Sequence, residues 1–286
     1  MRIGIVGAEN SHAAAIGKLL NVEKAIPGFE VTHLWGEAPQ FVEKTLASVK
    51  IPHVVARPEE MLGQVDAVMV DHRDGKHHLD AARSFVEAGM PVFVDKPLGT
   101  SLAACRAFLS LRRKTGAPVV TMSAIPHQAC VAGLKADVAA AAPVRIAHFI
   151  GPGDAKSEYG GVFFYGVHQV DLMVELFGPS PRRVRAALNG STMTAVVEYA
   201  DDLNATITMA KAGSNFRVAV CGEKGEFLKP VVNDANIYVP TARIFTTMFA
   251  TRKEPFDDRR MLAPVAILEA ISEAIGTGGA VDVEGM

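Results

Sequence analysis

Short apolar runs rich in β-branched residues alternate with helical patterns through the first 122 residues, and this alternation is the strongest constraint on what the chain can fold into. Residues 2–6, 30–35, 53–55, 66–70, 91–94 and 118–122 read as strands; residues 10–20, 40–47, 58–62 and 101–114, with a segment from His78 to the stop at Gly89, read as helices. Neighbouring parallel strands need a long crossover, usually a helix, so the repetition predicts an α/β domain built on a doubly wound parallel sheet. The run PVFV at 91–94 is apolar at every position, as a strand buried on both faces is. In such sheets the ligand crevice lies outside the carboxyl ends of the strands, so the residues after each strand are candidates for chemistry.

Beyond residue 123 the period changes. From Val144 onward apolar and polar residues alternate, clearest in Ala205, Ile207 and Met209 against Thr206 and Thr208, with turns at Asp201-Asp202 and at 223–225. This predicts an α+β domain with an open, largely antiparallel sheet, one helix over 167–177 and a closing amphipathic helix over 262–275. The expected division is therefore 1–122 and 123–286. A chain of 286 residues can bury two cores; 49% hydrophobic and 21% charged residues with a net charge of −2 suggest neither a nucleic-acid nor a membrane partner. Cys105, Cys130 and Cys221 are odd in number and lack CxxC spacing, which argues against a disulfide framework or a zinc knuckle. The start MRIGIVG enters a strand without a basic region or long apolar core, so a cytoplasmic location is expected.

Four strand ends carry reactive side chains. After 91–94 come Asp95, Lys96 and Pro97; Lys96 offers three donors and a fixed positive charge to a ligand. After the first strand comes GAENSH, where a Rossmann unit puts a pyrophosphate on a helix N-terminus: Gly7 permits close backbone approach, and Asn10 or Ser11 can cap the helix and donate to phosphate. Glu37 comes after the second strand, where an acid accepts ribose hydroxyls, although a solvated glutamate is an equal reading. HRDGKHH at 72–78 forms a polar loop whose histidines, with Asp71 and Asp74, match no standard ligand spacing, and no metal is expected. In the second domain His168 and Asp171 are three residues apart and share a helix face; a histidine titrates near neutral pH, as a general acid/base must.

VDKPLG at 94–99 resembles the EKP-type signature of the glucose-fructose oxidoreductase, inositol dehydrogenase and MocA family, with Asp95 for the usual glutamate, and GGVFFYGVHQVDLMVELFG at 160–178 is similar to its GG…DxGxHxxD segment. The resemblance runs over nearly the whole chain. It implies a Rossmann domain, an open-sheet domain and a nicotinamide cofactor held by Gly7, Asn10, Ser11, His12, Glu37, Lys96 and Pro97. It also implies that Lys96 and His168 act on one oxygen of a small polar substrate such as a sugar or cyclitol, with Tyr165 and Asp171 beside them. Glu37 without a basic neighbour favours NAD(H) over NADP(H). The same resemblance suggests a cis Lys96-Pro97 bond, a histidine at 78 opening the next helix, and pairing through the second sheet as a homodimer or homotetramer. Three segments depart from it. Glu9 and His12 replace two glycines of GxGxxG, Phe164 stands where the family has an aspartate four residues before the histidine, and SAIPHQA at 123–129 lacks an arginine. These departures keep open a second reading, a non-catalytic binding or regulatory protein that retains the fold.

Overall fold

The computed structural model describes residues 1–213 and 215–283, and the chain divides into two compact units. The first comprises Met1–Gly99, Ala103–Met122 and Tyr238–Asp258; the second comprises Thr100–Leu102, Ser123–Ile237 and the chain from Arg259.

The first unit carries β1 (Arg2–Val6), β2 (Glu30–Trp35), β3 (His53–Val54), β4 (Ala67–Val70), β5 (Val92–Val94) and β6 (Val119–Thr121), all parallel, in the order β3-β2-β1-β4-β5-β6. Between them run α1 (Ser11–Asn21), α2 (Pro39–Ser48), α3 (His78–Glu87) and α4 (Leu102–Thr115). Strand order reverses between β1 and β4, and that switch point is where an open α/β sheet leaves a crevice at its carboxyl edge. The start of α1 is fixed by Asn10, which is extended and whose side chain accepts the N–H of His12. Ala13, Ile16, Leu19 and Leu20 then recur at helical spacing and are buried. The expected helix at 58–62 is a single 3₁₀ turn, Pro58–Met61, because a stretch this short nucleates poorly.

The second unit holds α5 (Cys130–Ala141), β7 (Val144–Pro152), α6 (Val162–Phe177), β8 (Arg183–Asn189), β9 (Thr192–Glu198), β10 (Asn204–Ala210), β11 (Arg217–Gly222) and β12 (Gly225–Pro230). After α7 (Tyr238–Thr251), α8 (Asp258–Thr277) leads into β13 (Ala280–Asp282), and the sheet order is β12-β11-β7-β10-β9-β8-β13. Every pairing is antiparallel except β7 with β10. Met193, Ala195 and Val197 of β9 and Ala205, Ile207 and Met209 of β10 are buried, the alternation expected of a sheet covered on one face. Gln169 of α6 fixes helix to sheet, donating from Nε2 to the carbonyls of Phe149 at 3.2 Å and Thr208 at 2.8 Å. On the other face Ile146 and Leu228 are 56% and 64% exposed. No helix among the described residues is long and apolar enough to cross a membrane.

Two helices were not legible in the sequence. The helix α5 is alanine-rich and buries only Val131, Leu134 and Ala141, so its period is faint. The helix α7 is strongly periodic but lies far from the rest of its unit in sequence: Ala242, Phe245, Met248 and Phe249 join Phe93, Val120 and Met122 in one apolar cluster. The Phe245 ring stacks on Phe93 with centroids 4.6 Å apart. This contact recruits Tyr238–Asp258 to the first unit. Truncating a fully buried phenylalanine removes its transfer free energy and leaves a cavity, so Phe245→Ala is expected to cost about 3–5 kcal/mol. Urea unfolding should show the loss as a lower midpoint; an unchanged midpoint would mean that α7 contributes nothing to the core.

Candidate functional site

At the switch point the chain is drawn tight. Gly7 has φ +112°, and a Cβ placed on it would lie 2.6 Å from the carbonyl carbon of Asp71 and 2.7 Å from the nitrogen of His72. Only glycine meets both conditions, and the turn after β1 therefore lies directly against the end of β4. Asn10 bridges the ends of β4 and β5: its Nδ2 donates to Asp71 Oδ1 at 3.0 Å and to Asp95 Oδ2 at 2.9 Å, while its Oδ1 caps α1. His12 Nδ1 lies 3.0 Å from Asp95 Oδ2. Ligand atoms of His12, Asp71 and Asp95 fall within 4.8 Å of one another, and the Asn10 amide donates into the gap between the two carboxyl groups.

Two buried carboxyls this close cannot both be charged at ordinary cost. Burial, then the charge of Asp95, pushes the Asp71 carboxyl well above its usual range. Burial works on Asp95 in the same direction, but His12 and then Lys96 outweigh it and hold that carboxyl below its usual range. The two carboxyls are driven in opposite directions, protonation being favoured at Asp71 and ionisation at Asp95. No hydrogen-bond donor among the described residues faces Asp71 Oδ2.

Glu37 is neither solvated nor idle. Its Oε2 accepts the backbone N–H groups of Ala8 at 2.8 Å and Glu9 at 3.0 Å, and its Oε1 lies 3.1 Å from His72 Nδ1. Lys96 is 8% exposed, and the Lys96-Pro97 bond is cis, as expected. His78 opens α3, and its ring joins the DKP turn to the loop after β4: Nδ1 lies 2.6 Å from the Pro97 carbonyl oxygen and Nε2 lies 2.8 Å from that of His72. Burial lowers its affinity for a second proton. Ser11 is exposed at the first position of α1.

In the second unit, α6 carries the other candidates. His168 Nδ1 lies 2.8 Å from Ser123 Oγ. Asp171, 2% exposed, accepts the Ser123 backbone N–H at 2.8 Å and pairs with Arg260, which also reaches Glu175 at 3.2 Å. Tyr165 is 39% exposed, its ring edge-on to His168 at 5.5 Å; Phe216 flanks the histidine at 5.7 Å. Phe164 packs between Tyr159 and Tyr165, each at 5.1 Å, so the position of the family's aspartate belongs to an aromatic row. Lys96 falls in the first unit, and His168, Asp171 and Tyr165 in the second. Sequence reasoning missed Ser123 and Arg260. An unmarked serine at a strand end and an arginine 89 residues from its acid carry no signal in a single sequence.

The residues after β1 fit a dinucleotide. Gly7 keeps the close approach, the Ala8 and Glu9 amides already hold a carboxylate and so accept an anionic or hydroxyl-bearing group, and Asp71 presents a buried oxygen with no donor on it. Residues 1–123 match the model of an oxidoreductase family with an NAD-binding Rossmann fold, the Gfo/Idh/MocA family. No curated protein matches the sequence. Among solved structures, scyllo-inositol dehydrogenase from Lactobacillus casei with NAD(H) and scyllo-inositol bound is similar at TM-score 0.85 and 16% identity, over 100% of this chain and 99% of that one. GenD2 from gentamicin A biosynthesis in complex with NAD gives 0.84 and 18% over 100% and 97%, and a probable dehydrogenase from Thermotoga maritima 0.84 and 16% over 99% of each. At these identities the likeness is one of fold.

Glu37 yields a pH test. Burial alone would raise its carboxyl, but His72 and the Ala8 N–H outweigh it and hold the group at about 2, against 4.5 for a free side chain. A carboxyl whose pKa is depressed by folding contributes stability that is complete above the unfolded value and is lost as pH falls through the folded one. Glu37→Gln is therefore expected to flatten the decline of unfolding free energy from about pH 4.5 down towards about pH 2, followed by urea titration. Parallel curves for the two proteins would contradict the pairing.

Proposed function

We propose, because residues 1–123 match the model of the Gfo/Idh/MocA family of oxidoreductases with an NAD-binding Rossmann fold, that the chain moves a hydride between nicotinamide and a secondary alcohol or carbonyl of a small polar molecule. The observation that carries the reading is the turn after β1: it sits at the switch point, has Gly7 pressed against β4, and turns two backbone N–H groups onto a carboxylate. Gly7, Asn10, Ser11 and His12 would face the phosphates and Glu37 the adenosine ribose, with Lys96 and Pro97 at the end of β5. Bound NAD supplies the hydride acceptor. His168 would take the hydroxyl proton of the alcohol in oxidation and return a proton to the carbonyl oxygen in reduction. Lys96 would supply a positive charge to a bound oxyanion, and in the second unit Tyr165 lies beside the histidine. Asp171, buried against Arg260, serves to hold the segment at residue 123. Similar folds include inositol dehydrogenases, which supports a polyol or sugar derivative as substrate.

Glu37 also supports NAD(H) over NADP(H), since a carboxylate at the ribose repels a 2′-phosphate. One such contact discriminates by roughly several-fold to a hundredfold. Exposed Ile146 and Leu228 on the open face of the second sheet support association of two or four copies through that face. One observation favours the non-catalytic alternative: Phe164, packed between Tyr159 and Tyr165, offers no acceptor to a substrate hydroxyl.

Titration with NADH and NADPH, followed by nicotinamide fluorescence, separates the readings. Saturable NADH binding, at least several-fold weaker NADPH binding, and a narrowed preference in Glu37→Ala are expected; no binding of either nucleotide would favour the alternative. If an alcohol is turned over, Lys96→Ala and His168→Ala should each lower turnover by about a hundredfold or more, with NADH affinity nearly unchanged in His168→Ala.

A further inference from the structure

A histidine that exchanges a proton with substrate through one ring nitrogen needs a partner on the other, which fixes the tautomer and the ring plane. The usual partner of such a histidine is a carboxylate. Position 164 offers none here: its phenyl ring has no acceptor and lies among Tyr159 and Tyr165. The partner at Nδ1 comes from a different element. Ser123, completely buried just after β6, brings its Oγ to 2.8 Å from His168 Nδ1.

We infer that Ser123 is the positioning residue of His168, fixing the plane and tautomer of the ring through Nδ1. This rests on the assignment of His168 as the acid/base. The hydroxyl is itself held. Its oxygen accepts the Ile125 N–H at 3.1 Å, and the Ser123 backbone N–H donates to Asp171 Oδ2 at 2.8 Å. Asp171 stands three residues after His168 on α6 and is anchored in turn by Arg260. Two neighbouring side chains of one helix therefore grip residue 123, one through its hydroxyl and one through its backbone. With one lone pair given to Ile125, the hydroxyl retains a proton and a second lone pair for Nδ1. Accepting from a protonated Nδ1 with that lone pair, it favours the tautomer that carries its hydrogen on Nδ1, and this contact persists on both sides of a proton transfer at the other ring nitrogen. Unlike a carboxylate it carries no charge, and it orients the ring without drawing a second proton onto it.

The arrangement separates hydroxyl from backbone. Ser123→Ala removes the Nδ1 contact but keeps the N–H to Asp171, and Ser123→Thr restores an oxygen at the same place. Long-range 1H–15N spectra of the full chain labelled with 15N-histidine, with His168 assigned by its loss in His168→Asn, report tautomer and protonation directly. The wild type and Ser123→Thr are expected to show one dominant tautomer, and Ser123→Ala a mixture with a shifted titration midpoint, while thermal unfolding confirms that all three are folded. An unchanged tautomer in Ser123→Ala would overturn the inference, as would Ser123→Thr behaving like Ser123→Ala. NADH binding is measured in parallel: its absence would end the dehydrogenase reading while leaving the serine-histidine result standing.

Discussion

Three carboxyl groups, Glu37, Asp71 and Asp95, follow the carboxyl ends of β2, β4 and β5, and keeping them there largely shielded from water is the electrostatic constraint on which the first unit depends. Each has a different solution. Glu37 is held as a carboxylate by two backbone N–H groups and His72; burial and the charge of Asp95 favour the proton on Asp71; His12 and Lys96 favour the charge on Asp95. Asn10 joins the last two through one amide. A half-satisfied network at this depth would cost more than an apolar one, so the side chains that complete it are as constrained as those of the core.

The second unit solves a positioning problem by similar means. A helix whose face carries a histidine and an aspartate three residues apart could present both to ligand, yet Asp171 turns inward to Arg260 and the Ser123 backbone. Burying that ion pair is useful here less for net stability than for register, because it fixes where residue 123 lies along α6. The aromatic row of Tyr159, Phe164 and Tyr165 then gives the histidine an apolar flank.

Much of this was legible in the sequence. The apolar runs and their helical spacers specify the parallel sheet, and period-two alternation specifies the second sheet, because burial on two faces and on one face leave different patterns. Gly7, Lys96 and His168 stood out because their residue types and places after a strand or on a helix limit what they can do. What was not legible depends on distance along the chain. The α7 helix joins the core of strands formed more than a hundred residues earlier; Glu37 reaches back 29 residues to Ala8; Ser123 gains meaning only from a histidine 45 residues later. A single sequence has no term for such pairings. His12 is instructive: as a substitute for glycine it reads as a loss, whereas in the fold it balances Asp95.

The central claim is that the turn after β1, with Glu37 beside it, is a nucleotide site. A crystal structure of the full chain grown with NADH tests this most directly. The account predicts the adenosine ribose at Glu37, and the pyrophosphate over the start of α1 at Asn10, Ser11 and His12. Nucleotide bound elsewhere, or Glu37 still on the Ala8 and Glu9 amides with no nucleotide at millimolar NADH, would contradict it.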